Sequence, residues 1–363
     1  MNRSPWHYAQ PLKTAFRQAD QIRRQQGILL DSAGLGPRET PYRVLYSETG
    51  ISVRKYEGTT SSKAPALLIV PAPIKRPYIW DLAPDVSVIR RCIETGMQVY
   101  LAEWTAVEDS ARNWGLEDYG DRLLATCLKA IEADNGKSTV ILAGHSLGGV
   151  LATTFTCLHQ KNVRALLLLE TPLHFVDDAG DFAPLVAVAP DTRPIETTFG
   201  HVPGSFLSFV SAAAAPHAFQ WERCMDWSLS MINPKALDTC IRVERWTYDE
   251  FPVPGRLFSD IVELLYRGDC LMNGSLWMQG KLIGPKDLHV PLLNVIDPHS
   301  TIIPPQSILP FHEAAASKAK KILHYEGDIG IGIRHVGVLV GASAHRSLWP
   351  AIFDWLASLD IIH

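Results

Sequence analysis

The chain has no surplus of positive charge: 34 Lys and Arg stand against 38 Asp and Glu among 363 residues, a net charge of −4. A nucleic-acid partner, which needs clustered cations to neutralise phosphates, is therefore not expected. No stretch reaches the roughly 18 uninterrupted apolar residues of a membrane helix, so no transmembrane segment is expected. The opening MNRSPWHYAQ lacks the apolar centre of a secretory leader, and the expected location is cytoplasmic. Cysteine is sparse, and Cys92, Cys127, Cys157, Cys224, Cys240 and Cys270 form neither a C-x-x-C pair nor a finger spacing. They read as reduced, buried thiols. Neither H-E-x-x-H nor a Cys/His cluster occurs, so neither a metal nor a cofactor is expected.

What the chain does contain is apolar. Hydrophobic residues make up 47 % and charged residues 20 %, enough to build a large core. Short β-branched runs alternate with amphipathic stretches of helical length, the pattern of a mostly parallel sheet covered by helices on both faces. The fold class is α/β. A leading hairpin, Tyr42–Ser47 and Ser52–Tyr56, precedes strands Ala66–Val70, Gln98–Trp104, Thr139–Ala143 and Ala165–Leu169. Helices are expected over Pro84–Thr95, Tyr119–Ala133 and Leu147–His159. Alternation stops near Thr171 and resumes with strand Pro291–Ile296, helix Pro305–Ala319, strand Lys321–Tyr325 and helix Ser343–Leu359. We expect a catalytic core over 1–171 and 287–363, a sheet of about eight strands, and an inserted cap over 172–286.

The most informative words are Gly144-His145-Ser146-Leu147-Gly148-Gly149, placed between the strand TVILA and the helix VLATTFTCLHQ. G-x-S-x-G in this context is the nucleophile elbow of α/β-hydrolases. A chain that turns at once from strand to helix strains the serine backbone and presents Ser146 Oγ at a helix N-terminus, where free amides favour a developing anion. A serine needs a base. Among 13 histidines, His335 in GDIGIGIRHVGV lies after the last strand and before the last helix, where the order Ser, acid, His puts it. Gly327, Gly330 and Gly332 give its loop freedom to aim the ring. His145 should point away from the nucleophile and pack structurally. The acid should follow strand Pro291–Ile296, which names Asp297; Glu170, ending LLLLE, is the alternative from the neighbouring strand.

The chain resembles the polyhydroxyalkanoate synthases, especially the short class III catalytic subunit. The resemblance rests on Pro71–Trp104, the elbow, HVPGSFLSF (His201–Phe209), RVERWTYDEFPVPGRLF (Arg242–Phe258), PLLNVIDPHSTIIPP (Pro291–Pro305) and Arg334–Leu356. It implies 3-hydroxyacyl transfer from coenzyme A through a covalent acyl-enzyme, His335 as base, and an oxyanion hole from the amides of Leu147 and Ile74. The family carries cysteine where Ser146 stands, and its aspartate aligns with Ser300. A thiolate exchanges thioesters in near balance, whereas an oxygen takes the acyl group downhill to an oxyester.

The expected function is therefore a serine acyltransferase that moves an acyl group from a CoA or carrier-protein thioester to a hydroxyl or amine. Alternatives are an ester or thioester hydrolase, including a polyester depolymerase, a true polyester synthase, and a catalytically weak docking subunit. Lys75, Arg76 and Trp246 are candidate substrate contacts. Arg3, Lys13, Arg17, Arg23 and Arg24 against Asp20 give a basic N-terminal stretch, either a solvated helix face or a contact to a phosphate-bearing donor or second subunit. The resemblance also implies pairing, as a homodimer or with a second subunit.

Overall fold

The computed structural model describes residues 6–58, 64–175, 180–189 and 191–362. Its centre is an eight-stranded sheet. Strands β1 (Tyr42–Glu48), β2 (Ile51–Tyr56), β3 (Ala66–Val70), β4 (Gln98–Trp104), β5 (Val140–His145) and β6 (Val163–Leu169) come before a long insertion. Inside that insertion lie the short ribbon β7 (His201–Val202) and β8 (Val253–Pro254) and the hairpin β9 (Leu276–Met278) and β10 (Lys281–Ile283). Strands β11 (Leu292–Ile296) and β12 (Lys320–His324) complete the sheet, in the order β1-β2-β4-β3-β5-β6-β11-β12. Pairing is antiparallel from β1 through β2 to β4 and parallel from β4 onward.

The period of two in β3 shows how the sheet divides two cores. Leu68 and Val70 face one, and Leu67 and Ile69 face the other. The first core is closed by α3 (Leu123–Asn135) and α4 (Leu147–Leu158), through Leu123, Cys127, Ile131, Leu151 and Phe155. The second is closed by α2 (Val88–Glu94) and α13 (Trp349–Ser358), through Ile89, Cys92, Trp349, Ile352 and Leu356. Buried on both faces, β3, β5, β6 and β11 need no alternation of polarity and are apolar throughout or nearly so.

The helix expected over Pro305–Ala319 is shorter. It is α11 (Leu309–Ala314), which ends as Ala315 turns to ψ 136 and the Ala316 amide bonds the Pro285 carbonyl at 3.2 Å. After the short α12 (Gly337–Val340), the last expected helix opens with a π turn, Ala344–Leu348, before α13.

Between β6 and β11, which are sheet neighbours, the insertion is built from α5 (Phe182–Val188), α6 (Arg193–Phe199), α7 (Gly204–Ala214), α8 (Arg223–Ser230), α9 (Pro234–Thr247) and α10 (Gly255–Asp260). The β9–β10 hairpin returns to α4, with Leu276, Met278 and Ile283 buried in the first core.

Helix α1 (Trp6–Ser32) lies against this insertion. The Phe16 ring meets Phe206 edge-on at 5.3 Å, Asp20 accepts the Ser205 amide at 2.8 Å, and Arg23 donates to the Thr247 carbonyl at 2.6 Å. Asp31 receives both Nε and Nη2 of Arg245, at 2.8 and 2.7 Å. The helix is thus docked rather than simply solvated. Arg17 and Arg24 remain exposed, and Arg3 lies outside the described residues.

Candidate active site

Ser146 sits between β5 and α4 with φ 54 and ψ −130, a conformation that costs a non-glycine residue energy and that the packing around it must enforce. The packing leaves no alternative to glycine beside it. A Cβ on Gly148 would lie 2.1 Å from the Val70 carbonyl oxygen, and one on Gly149 would lie 1.9 Å from Thr171 Oγ1. The start of α4 is therefore pressed onto the end of β3.

His335 lies in a short 3-10 turn, Arg334–Val336, within the loop expected from the sequence. Gly327, Gly330 and Gly332 all adopt positive φ, at 96, 85 and 68. Asp226 of α8 accepts the amides of Gly330 and Gly332, both at 2.7 Å, so the insertion holds the histidine loop.

Of the two expected acids, it is Glu170 and not Asp297 that meets His335. His335 Nδ1–H donates to Glu170 Oε2 at 2.7 Å, and Asp297 is engaged elsewhere. Asp297 accepts the His299 amide at 2.8 Å, which forms the Asx turn common at a strand end. It also receives Arg334 Nε at 2.5 Å and Nη2 at 2.9 Å, so its carboxylate is turned onto the guanidinium. Glu170 leaves β6 with φ 43, and its longer side chain reaches the imidazole. Both carboxylates are fully buried. Burial pushes Glu170 well up from the usual carboxylate range, and the charge of Asp297 adds to this, while Arg334 and the Asp297 amide oppose it. Burial also lowers His335 to about 4, with Asp297 pulling the other way. The imidazole is thus held neutral near pH 7.

His145 is not aimed at solvent. Its Nε2–H donates to the His335 carbonyl at 2.9 Å, and the two rings pack with centroids 4.4 Å apart. Burial, then the neighbouring His335, lowers its pKa well below the ordinary value, so it stays neutral. Ligand-type atoms of His145, Glu170 and His335 lie within 4.8 Å of one another. A metal there would have to break the carboxylate–imidazole bond, so the donor set reads as a hydrogen-bonded dyad.

Of the candidate substrate contacts, Lys75 and Trp246 have internal partners and Arg76 stays exposed. Lys75 Nζ bonds Glu250 Oε1 and the Thr247 carbonyl, each at 2.7 Å, and lies 5.2 Å over the Trp246 ring. Burial lowers it to about 8, against the pull of Glu250. It is an internal cation tying the β3 loop to the insertion. Trp246 is buried, with its indole N–H given to the Arg76 carbonyl at 2.8 Å. Arg76 remains exposed, its guanidinium 3.9 Å over Phe251.

Two participants were not anticipated. Asp226 offered no sequence signal. Arg334 did offer one, a cation directly preceding the candidate base. It also faces a groove of about 1450 Å³ bordered by Arg38, Asp85, Leu229, Lys235 and Arg346.

A family model described as the alpha/beta hydrolase fold matches residues 66–192. A poly(3-hydroxyalkanoate) polymerase subunit PhaC from Haloferax mediterranei is 30 % identical over 322 residues, 88 % of this chain and 64 % of that protein's own length. The chain has the α/β-hydrolase fold and is similar to PhaC subunits. The PhaC subunit of Allochromatium vinosum is 25 % identical over 90 % of this chain and 91 % of its own. Among solved structures, the enol-lactonase of Burkholderia xenovorans LB400 superposes with TM-score 0.53 at 11 % identity, over 87 % of this chain and all of that one. A monoacylglycerol lipase from Paleococcus ferrophilus gives 0.51 at 14 %, over 86 % and 99 %. These structural likenesses show the fold alone.

Proposed function

We propose that this PhaC relative is a serine acyltransferase. It takes an acyl group from a coenzyme A or carrier-protein thioester as a Ser146 ester and passes it to a hydroxyl or amine acceptor. The observation that carries the reading is the 2.7 Å bond from His335 to Glu170, placed on the loop that sequence order assigns to the base of an elbow serine. In this reading the Ser146 Oγ proton passes to His335 Nε2 as Oγ attacks the thioester carbonyl. The amides of Leu147 and Ile74 receive the developing oxyanion. Collapse of the intermediate breaks the C–S bond, and the imidazolium returns its proton to the departing thiolate. His335 then takes the proton of the acceptor hydroxyl or amine, whose oxygen or nitrogen attacks the Ser146 ester, and Ser146 Oγ leaves with that proton. Glu170 keeps Nδ1 protonated throughout, so Nε2 is the basic atom.

Arg76 is the remaining cation of the β3 loop positioned for a donor phosphate, since Lys75 is occupied. A cytoplasmic setting and pairing with a second subunit or a second copy belong to the same reading. The test is incubation with 3-hydroxybutyryl-CoA and short acyl-CoAs, with and without alcohol and amine acceptors, followed by product masses. A new ester or amide, with a protein adduct lost in Ser146→Ala, is expected. Free acid alone would make the protein a hydrolase, and oligomer would make it a polymerase.

A further inference from the structure

The ion pair between Asp297 and Arg334 takes no part in the steps above, yet it is built beside them. Asp297 leaves β11 next to Glu170, whose amide bonds the Val295 carbonyl of that strand at 3.0 Å. Two fully buried carboxylates thus end neighbouring strands behind one imidazole. A buried carboxylate without a counter-charge is costly, and a second one beside the first is more so. A guanidinium in this cluster comes from Arg334, the residue directly before His335. It spans Asp297 with both Nε and Nη2 and adds a bond from Nη2 to the Glu326 carbonyl at 3.1 Å.

We propose that Arg334 is a positioning residue: it cancels the charge of Asp297, leaving Glu170 as the carboxylate that orients His335, and its two-pronged grip fixes the turn that carries the imidazole. The proposal rests on the assignment of Ser146, His335 and Glu170 as the reacting group. Its consequence is electrostatic. The groups facing His335 are Glu170 from the end of β6, His145 from the end of β5 and Asp297 from the end of β11, with Arg334 on its own turn. Behind them, Tyr325 at the end of β12 faces Asp297 and Arg334, and Glu222 before α8 faces Arg334. Removing Arg334 leaves an extra negative charge near the imidazole and favours its protonation; removing the charge of Asp297 does the reverse.

The test reads the pH dependence of Ser146 acylation by 3-hydroxybutyryl-CoA, followed by intact-protein mass, in four proteins. Arg334→Gln is expected to move the acid limb up by about one pH unit and Asp297→Asn to move it down. The double variant is expected to return it close to the starting position, with acylation faster than in Arg334→Gln. Arg334→Lys, which keeps the charge but not the fork, is expected to keep the acid limb while lowering the maximal rate, and it serves if Arg334→Gln does not fold. Shifts in the same direction, no shift, or a double variant no better than the worse single one would overturn the proposal and leave the pair a purely structural bridge. If Glu170→Gln acylates normally, the underlying assignment has failed instead, and the two failures are told apart by that single control.

Discussion

His145 and His335 are joined through a ring and a main-chain carbonyl: the His145 Nε2–H donates to the His335 carbonyl at 2.9 Å while the two imidazoles lie 4.4 Å apart. His145, directly before the proposed nucleophile, therefore supports the residue proposed as its base. Removing it frees the His335 turn without touching substrate. His145→Ala should lower kcat on the order of 10- to 100-fold with little change in KM, because orientation of the base is spent in the transition state. His145→Gln, which keeps an N–H donor, should recover part of the loss. Melting measurements should show about 1 kcal/mol of destabilisation for the lost bond in the alanine variant. A change confined to KM would remove His145 from the support of the base.

Glu170 and Asp297 should separate cleanly in turnover. A glutamine at 170 offers its amide N–H as readily as its oxygen and no longer selects the tautomer with Nε2 free. Glu170→Gln should therefore cost roughly 10³- to 10⁴-fold in kcat. Asp297→Asn should cost far less and show itself mainly in pH dependence. Because burial holds His335 down to about 4, the wild-type rate should stay level from alkaline pH through 6.5 and fall only as pH approaches that value. A rate profile that breaks near 6.5 would mean an exposed imidazole, contrary to its 13 % side-chain exposure.

The ease of reading differed sharply between the scaffold and the acid. Strands β3 and β4 match their expected bounds because β3 is an apolar run closed by Pro71 and β4 a mostly apolar one opened after Gly96, and Ser146 and His335 were named from motif and chain order. Two carboxylates end adjacent strands, however, and nothing one-dimensional records the φ of 43 at Glu170 or the grip of Arg334 on Asp297. The insertion was legible only as a break in alternation. Three of its helices, α6, α7 and α9, also pack against α1, a covering that no local pattern in the sequence records. The α1 face that docks uses Phe16, Asp20, Arg23 and Asp31, a helical spacing of mixed polarity that hydrophobic periodicity passes over.

Lys75 offers a check on the loop after β3. Glu250, with its side chain 5 % exposed, is answered by Lys75 at 2.7 Å and by Arg23 at 3.2 Å. Loss of Lys75 leaves Glu250 with Arg23 and the Ser208 hydroxyl, whereas loss of the carboxylate charge leaves both cations without their counter-charge. Thermal unfolding should therefore show Lys75→Met as mildly destabilising, by about 1 kcal/mol or less, and Glu250→Gln as costing about 2–4 kcal/mol. The KM of Lys75→Met for an acyl-CoA should change no more than its KM for the matching pantetheine thioester. A rise seen with the coenzyme A donor alone would return Lys75 to phosphate binding.

In the proposed reaction, Ser146 decides whether the acyl group can go back. An oxyester formed from a thioester lies downhill, so coenzyme A does not readily retrieve the acyl group from Ser146, and the intermediate must await an oxygen or nitrogen acceptor. A thioester at the same position would be nearly isoenergetic with the donor, and loading and unloading would approach balance. Ser146→Cys should thus raise the exchange of labelled coenzyme A into unlabelled 3-hydroxybutyryl-CoA relative to the native protein, while transfer to a simple alcohol falls. Mass spectra should show the acyl adduct on the cysteine variant declining when free coenzyme A is added and the native adduct persisting. Equal retrieval from both would mean that the elbow tunes the oxygen ester to thioester-like reactivity, and the distinction between Ser146 and the cysteine of the synthases it resembles would no longer control the direction of transfer.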